Sequence, residues 1–276
     1  MKCGIYLLAF FVVMLNLCSC PGCALACSSN GGSDSTGYFP SFDGIKIYFE
    51  VHGQGYPVLL VHGFTSTGDS WKKGALYDDL LTRKFKVITV DLRGNGKSDK
   101  PHADTAYAND AEAKDLMGLL TALGITKYFV VGYSRGSIIT ARLLVLDHRI
   151  DKAVMGGIGL DFSNPDWPRR VNFYKALRGD SIPELTAMVK RVQAEGLDQQ
   201  ALAMQQKDQP STSKQQLAAI QEPVLVICGS EDADNGSAAE LAKILPHAEL
   251  QTVPGDHGST SRTAAFAQKV IEFLIK

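Results

Sequence analysis

The chain has 276 residues, of which 45% are hydrophobic, 21% charged and 8% aromatic, with 26 Gly and 11 Pro. That balance excludes a disordered or collagen-like chain, and the length allows one large α/β domain or two small ones. Its 28 Lys and Arg against 29 Asp and Glu leave a formal net charge of -1, with no basic stripe, so nucleic acid is excluded as a partner.

Lys2 precedes an apolar run from Ile5 to Leu17. This reads as the n- and h-regions of an export signal, too short for a membrane span. Cys3, Cys18, Cys20, Cys23 and Cys27 all lie in this region, leaving Cys228 alone in the rest of the chain, so no internal disulfide framework is possible there. Two processing patterns compete. Leu17-Cys18-Ser19-Cys20 resembles a bacterial lipobox with Cys20 as the lipidated residue, whereas Ala24-Leu25-Ala26 suits ordinary cleavage, with Cys27 as a second lipidation candidate. Residues 1–27 are therefore expected to be a signal peptide, of lipoprotein type. Export would place the protein in the cell envelope or periplasm if lipidated and make it secreted otherwise, with the lipid anchor as its one membrane contact. The Gly/Ser-rich stretch 28–38 is expected to be a flexible linker, and the folded domain to occupy 39–276.

Asp43-Gly44, between Tyr38–Phe42 and Ile45–Val51, is a type I′ hairpin signal. Short apolar runs then recur at Val58–Val61, Val87–Val90, Tyr128–Val131, Ala153–Met155, Val224–Ile227 and Leu250–Val253. Apolar on both faces, they suit a parallel sheet covered by helices. Helical patterns fall between them at Asp110–Leu123, Ser137–Leu146, Ser237–Leu245 and Ser261–Ile275. The alternation predicts an α/β fold with a mainly parallel, doubly wound sheet. A polar, Gln-rich insert over about 161–221 interrupts it and reads as a small helical lid.

Gly132-Tyr133-Ser134-Arg135-Gly136 follows one predicted strand and opens a helix. A sharp strand-to-helix turn needs small neighbours and lifts a serine hydroxyl clear of the sheet. Serine is a poor nucleophile without a base, and the base needs an orienting acid. Asp232 and His257 each follow a later strand, giving the order Ser134, Asp232, His257 at the carboxyl ends of parallel strands. For the acid, Asp161, Glu231 and Asp234 compete with Asp232, which is preferred because it completes Gly-x-x-Asp after its strand. His62-Gly63-Phe64 also follows a strand, and the backbone N–H groups of Phe64 and Arg135 are the candidate oxyanion donors. His62 itself is read as structural, and His52, His102, His148 and His247 as surface or turn residues. No histidine pair has zinc-type spacing with a third ligand, so neither metal nor cofactor is expected. Cys228 reads as a small core residue. In the insert, Trp167, Phe173 and Tyr174 are candidate pocket residues, or hold the insert to the core.

Together these motifs resemble the α/β-hydrolase superfamily from residue 39 to the end. The resemblance rests on His62–Phe64, Asp91–Asp99, Gly132–Gly136, Gly229–Asp232 and His257. It implies the α/β-hydrolase fold, a Ser-Asp-His hydrolase and a variable lid between the sixth and seventh main strands. It also implies that Asp91–Ser98 is a structural turn, with Asn95 where many relatives carry histidine. Relatives with an aspartate nucleophile, the haloalkane dehalogenases and epoxide hydrolases, differ at position 134. Proline iminopeptidases usually carry Trp where this chain has Arg135. The expected activity is hydrolysis of a small-molecule carboxylic ester through an acyl-enzyme. Thioester or lactone hydrolysis, perhydrolysis, or ligand binding on a hydrolase scaffold are the alternatives.

Overall fold

The computed structural model describes Met1 and residues 34–276. Cys20, Cys27 and the expected signal segment lie outside the described residues. Strand β1 (Ser35–Pro40) pairs antiparallel with β2 (Lys46–His52), from Ser35 opposite Val51 to Pro40 opposite Lys46. The sheet therefore starts inside the stretch expected to be linker. Its alternating exposed and half-buried residues gain from pairing what their polarity denies them in burial. The hairpin turn also differs from the expected type I′ form. The Gly44 N–H donates to the Ser41 carbonyl (2.9 Å), the Ser41 N–H donates to that of Ile45 (2.8 Å), and only Gly44 (φ 83) is left-handed. This is the three-residue loop with a glycine bulge, which spares Asp43 a positive φ.

The remaining strands are β3 (Pro57–Val61), β4 (Lys86–Val90), β5 (Tyr128–Tyr133), β6 (Ile150–Gly156), β7 (Val224–Gly229) and β8 (Ala248–Val253). They form one eight-stranded sheet in the order β1-β2-β4-β3-β5-β6-β7-β8, parallel from β4 through β8. Alternate strand residues feed two cores. Leu59, Val61, Ile88 and Val130 pack under α2 (Ala111–Ala122), α3 (Arg135–Leu146) and α8 (Ala238–Ile244). Val58, Leu60, Val87 and Val131 pack under α1 (Ala75–Thr82) and α9 (Ala264–Ile275). Each such fully buried side chain contributes about 1.5–3 kcal/mol, and the period-two alternation fixes which strand residues reach which face.

The insert between β6 and β7 holds α4 (Pro168–Arg178), α5 (Thr186–Ala194), α6 (Gln199–Lys207) and α7 (Lys214–Ala218). Asp198 caps α6 through the Ala201 N–H, and Ser213 with Gln216 forms a capping box on α7. Leu177, Val192, Leu202 and Met204 form a third core with Tyr107. Leu217 and Ile220, by contrast, belong to the main core. Among the described residues no helix is long and apolar enough to cross a membrane.

Candidate active site

Strand β5 ends at Tyr133 and helix α3 begins at Arg135, so the whole turn falls on Ser134, held at φ 55 and ψ -122. A non-glycine residue there stores about 1–3 kcal/mol of backbone strain. Two glycines make the turn possible by close approach. A Cβ on Gly132 would strike the Thr140 hydroxyl, and one on Gly136 the Val61 carbonyl. The Gly156 carbonyl at the end of β6 then accepts from both the Ser134 N–H and the Ser137 hydroxyl, each at 2.8 Å.

The structure brings the three expected residues together. His257 Nε2 lies 2.9 Å from Ser134 Oγ, and Nδ1 lies 2.9 Å from Asp232 Oδ2. The Asp232 side chain is buried, and its Oδ1 accepts from the Asp234 N–H at 3.3 Å. The acid and histidine loops are laced together, since the Glu231 N–H donates to the Gly255 carbonyl at 3.0 Å. The rival carboxylates lie elsewhere. Glu231 and Asp234 are exposed, and Asp161 is exposed against Gly236.

Among the described residues, neither the Phe64 nor the Arg135 N–H has a hydrogen-bond partner. Gly63 lets the Phe64 loop approach, because a Cβ there would stand 3.3 Å from the Ser134 Cβ. His62 holds this loop as expected. It donates Nδ1–H to the Gly63 carbonyl (2.8 Å) and accepts the Leu92 N–H on Nε2 (3.0 Å). Complete burial pushes its imidazole below the ordinary value, so it is neutral. The Asp91–Ser98 segment is a turn: the Asp91 carboxylate accepts from Gly68 and Lys97 N–H at 2.7 and 2.8 Å. Asn95 receives the Gln205 amide of α6, which also donates to the Arg93 carbonyl.

Two clefts meet at Ser134. The smaller, about 50 Å³, is lined by Phe64, Ile158, Trp167, Phe173, Asn235 and the arginines 135, 169 and 170, among others. The larger, about 540 Å³, runs past Ser66, Trp71, Tyr133 and His257. Trp167 and Phe173 thus reach the site. Tyr174 does not: it packs on the third core, beside Arg178, because the next position on α4 turns away from the cleft. Arg135 is buried and bonded through two nitrogens to Glu112, at 2.7 and 2.6 Å. Cys228 packs beside the main core, and burial pushes its thiol up, away from thiolate chemistry.

Two neighbours of His257 carry no sequence signal of their role. Asn235 Nδ2 donates to the Gly157 carbonyl (3.1 Å) and lies 3.2 and 3.4 Å from the two ring nitrogens. In the sequence it is simply part of an Asn-Gly turn. Tyr133 stacks on the imidazole with ring centroids 5.5 Å apart.

A family model described as alpha/beta hydrolase fold matches residues 56–187. A Synechocystis protein named as a non-heme chloroperoxidase is 41% identical over 113 residues, 40% of this chain and 40% of its own. Epoxide hydrolase 3 of Siraitia grosvenorii is 41% identical over 97 residues, 35% of this chain and 30% of its own. The chain thus matches well under half the length of these relatives. The solved esterase from Exiguobacterium antarcticum superposes with a TM-score of 0.72 at 20% identity, covering 87% of this chain and 99% of its own. At that identity the likeness is one of fold.

Proposed function

Since the chain belongs to the α/β-hydrolase superfamily, we propose that it is a serine hydrolase acting on small carboxylic esters. The observation that carries this reading is the continuous line of two 2.9 Å contacts from Ser134 Oγ through His257 to the buried Asp232. Ser134 Oγ attacks the ester carbonyl while His257 Nε2 takes its proton. Asp232 holds the ring with Nδ1–H towards itself and stabilises the imidazolium. The Phe64 and Arg135 N–H groups receive the oxyanion, with the α3 N-terminus behind them. His257 returns the proton to the leaving alcohol, and water, activated by the same nitrogen, releases the acid.

Epoxide hydrolase chemistry through an aspartyl ester is not available to a serine at position 134. The same proposal holds the domain to be exported, on the strength of residues 1–27 and their lipidation candidates Cys20 and Cys27. The test is labelling with a fluorophosphonate probe alongside Ser134→Ala. The wild type should label, and the variant should lose both labelling and about 10⁶ in kcat with little change in stability. An inert Ser134 in folded protein would favour a ligand-binding scaffold instead.

A further inference from the structure

The walls of the two clefts carry an excess of positive charge in a chain whose formal net charge is -1. Arg135, Arg169 and Arg170 line the smaller cleft, and Lys73, Arg191 and Arg262 the larger, against the single lining carboxylate of Glu195. Part of this charge is matched: Arg135 by Glu112, and Arg191 by Glu195 at 3.9 Å.

Arg169, 3.7 Å from the Asp234 carboxylate, is matched as loosely as Arg191, but it and Arg170 differ from the others in position. They stand in the first turn of α4, directly after Pro168, where the aligned peptide dipoles favour acids and disfavour cations. No acidic residue occupies that turn. The α4 dipole gains nothing from two arginines there, although Arg170 does tie α4 to the last carbonyls of α6.

Arg170 is held by main-chain carbonyls alone, accepting from its Nη1 at Gln206 and Lys207 (2.9 and 2.8 Å) and from its Nη2 at Pro165 (2.6 Å). Carbonyls, two of them at the negative C-terminal end of α6, fix the guanidinium and offset only part of its charge. Its Nε is buried without a partner, and the Asp208 carboxylate, within electrostatic reach, makes no hydrogen bond to it. Arg169 lies over the Phe173 ring, 4.9 Å from its centroid, with the Asp234 carboxylate 3.7 Å away. Preset guanidinium groups beside apolar Phe64 and Trp167 suit a short carbon chain that ends in a carboxylate.

On the serine-hydrolase reading, we propose that the substrate is the half-ester of a short dicarboxylic acid. Its free carboxylate rests on Arg169 and Arg170 in the small cleft, its ester carbonyl sits at Ser134, and the alcohol occupies the larger cleft. The small volume, about 50 Å³, sets the acyl chain short.

The test compares monomethyl succinate with methyl levulinate, which match in length but end in a carboxylate and a methyl ketone. The purified protein is assayed for methanol release, and the readout is the ratio of the two kcat/KM values. The expected ratio is about tenfold or more in favour of the succinate at low salt, falling several-fold in about 0.5 M NaCl. Arg170→Gln should reduce the ratio about tenfold, and Arg169→Gln should reduce it several-fold. The salt series on the wild type and the Arg169→Gln variant decide the matter should Arg170→Gln not fold. A wild-type ratio near one, or one that neither salt nor either variant moves, overturns the inference. Fluorophosphonate labelling of the same preparation separates the two levels. A labelled Ser134 with a ratio near one sinks the half-ester alone, whereas an unlabelled Ser134 with neither ester cleaved sinks the hydrolase reading beneath it.

Discussion

The hydroxyl of Tyr133 donates to the main-chain carbonyl of His257 at 2.8 Å. Tyr133, the residue before Ser134, thus braces the loop that carries His257. Gly156 and Gly157 make room for its ring, since a Cβ on either would stand 2.7 Å from a ring carbon. Tyr133→Phe removes one hydrogen bond, a loss of about 0.5–1.5 kcal/mol in stability. It should also lower kcat about three- to tenfold with KM little changed, because the imidazole loses its fixed height above Ser134. Steady-state kinetics and a Tm on the same sample check both halves; a kcat within twofold of wild type would remove the brace from the mechanism.

Asp232→Asn should keep the fold yet lower kcat about 10⁴-fold, through the wrong imidazole tautomer. Glu231→Gln and Asp234→Asn should each cost less than about tenfold, as exposed carboxylates contribute little. Asp161→Asn serves as the control at the insert boundary. Its abolishing activity in folded protein, in place of Asp232→Asn, would move the acid to β6.

The Arg135–Glu112 pair bears on stability rather than chemistry. Both side chains are at most 4% exposed, so Glu112→Gln strands a buried guanidinium directly behind the oxyanion site. The expected loss is about 3–5 kcal/mol, whereas replacing both partners by apolar residues of similar volume should recover most of it. Denaturant melts of the single and double variants measure the difference. A single variant as stable as the double would contradict a buried, uncompensated charge.

His62 sets a pH dependence. Burial holds its imidazole below the ordinary value of 6.5 while the unfolded chain titrates near that value. The unfolded state therefore binds the proton first. Stability from this group is complete above about pH 6.5 and is lost as pH falls from there towards the folded value. His62→Gln, which retains a donor and an acceptor, should flatten that part of the acid limb while lowering stability at pH 8. Denaturation midpoints between about pH 8 and pH 5 supply the check. Parallel limbs in the two proteins would mean that other groups dominate.

Ser134, Asp232 and His257 are legible as a group because each follows an apolar strand at a position where parallel topology gathers side chains. The sheet was legible for the same reason, as continuous apolar runs separated by helical periodicity. What escaped depended on contacts between distant segments. Asn235 is an unremarkable turn residue until β8 places His257 beside it. Arg169 and Arg170 look like a solvated charge pair until α4 packs at the cleft. For Tyr174 the sequence leaves two roles open, pocket or packing, because aromatic character alone does not say which side of a helix faces the site; the fold gives it the packing role. The hairpin loop went wrong by one residue, since Asp-Gly supports either a two-residue turn or a turn closed by a bulge.

Ser134, Asp232 and His257 follow the ends of β5, β7 and β8, and β8 forms the far edge of the sheet. The helix that follows its loop, α9, packs Phe266 edge-on against Tyr133, the residue before Ser134. During synthesis from the N-terminus, Ser134 is therefore made before Asp232 and His257, which later strands supply. Until both have been made, Ser134 lacks the two side chains that line up behind its hydroxyl in the folded chain.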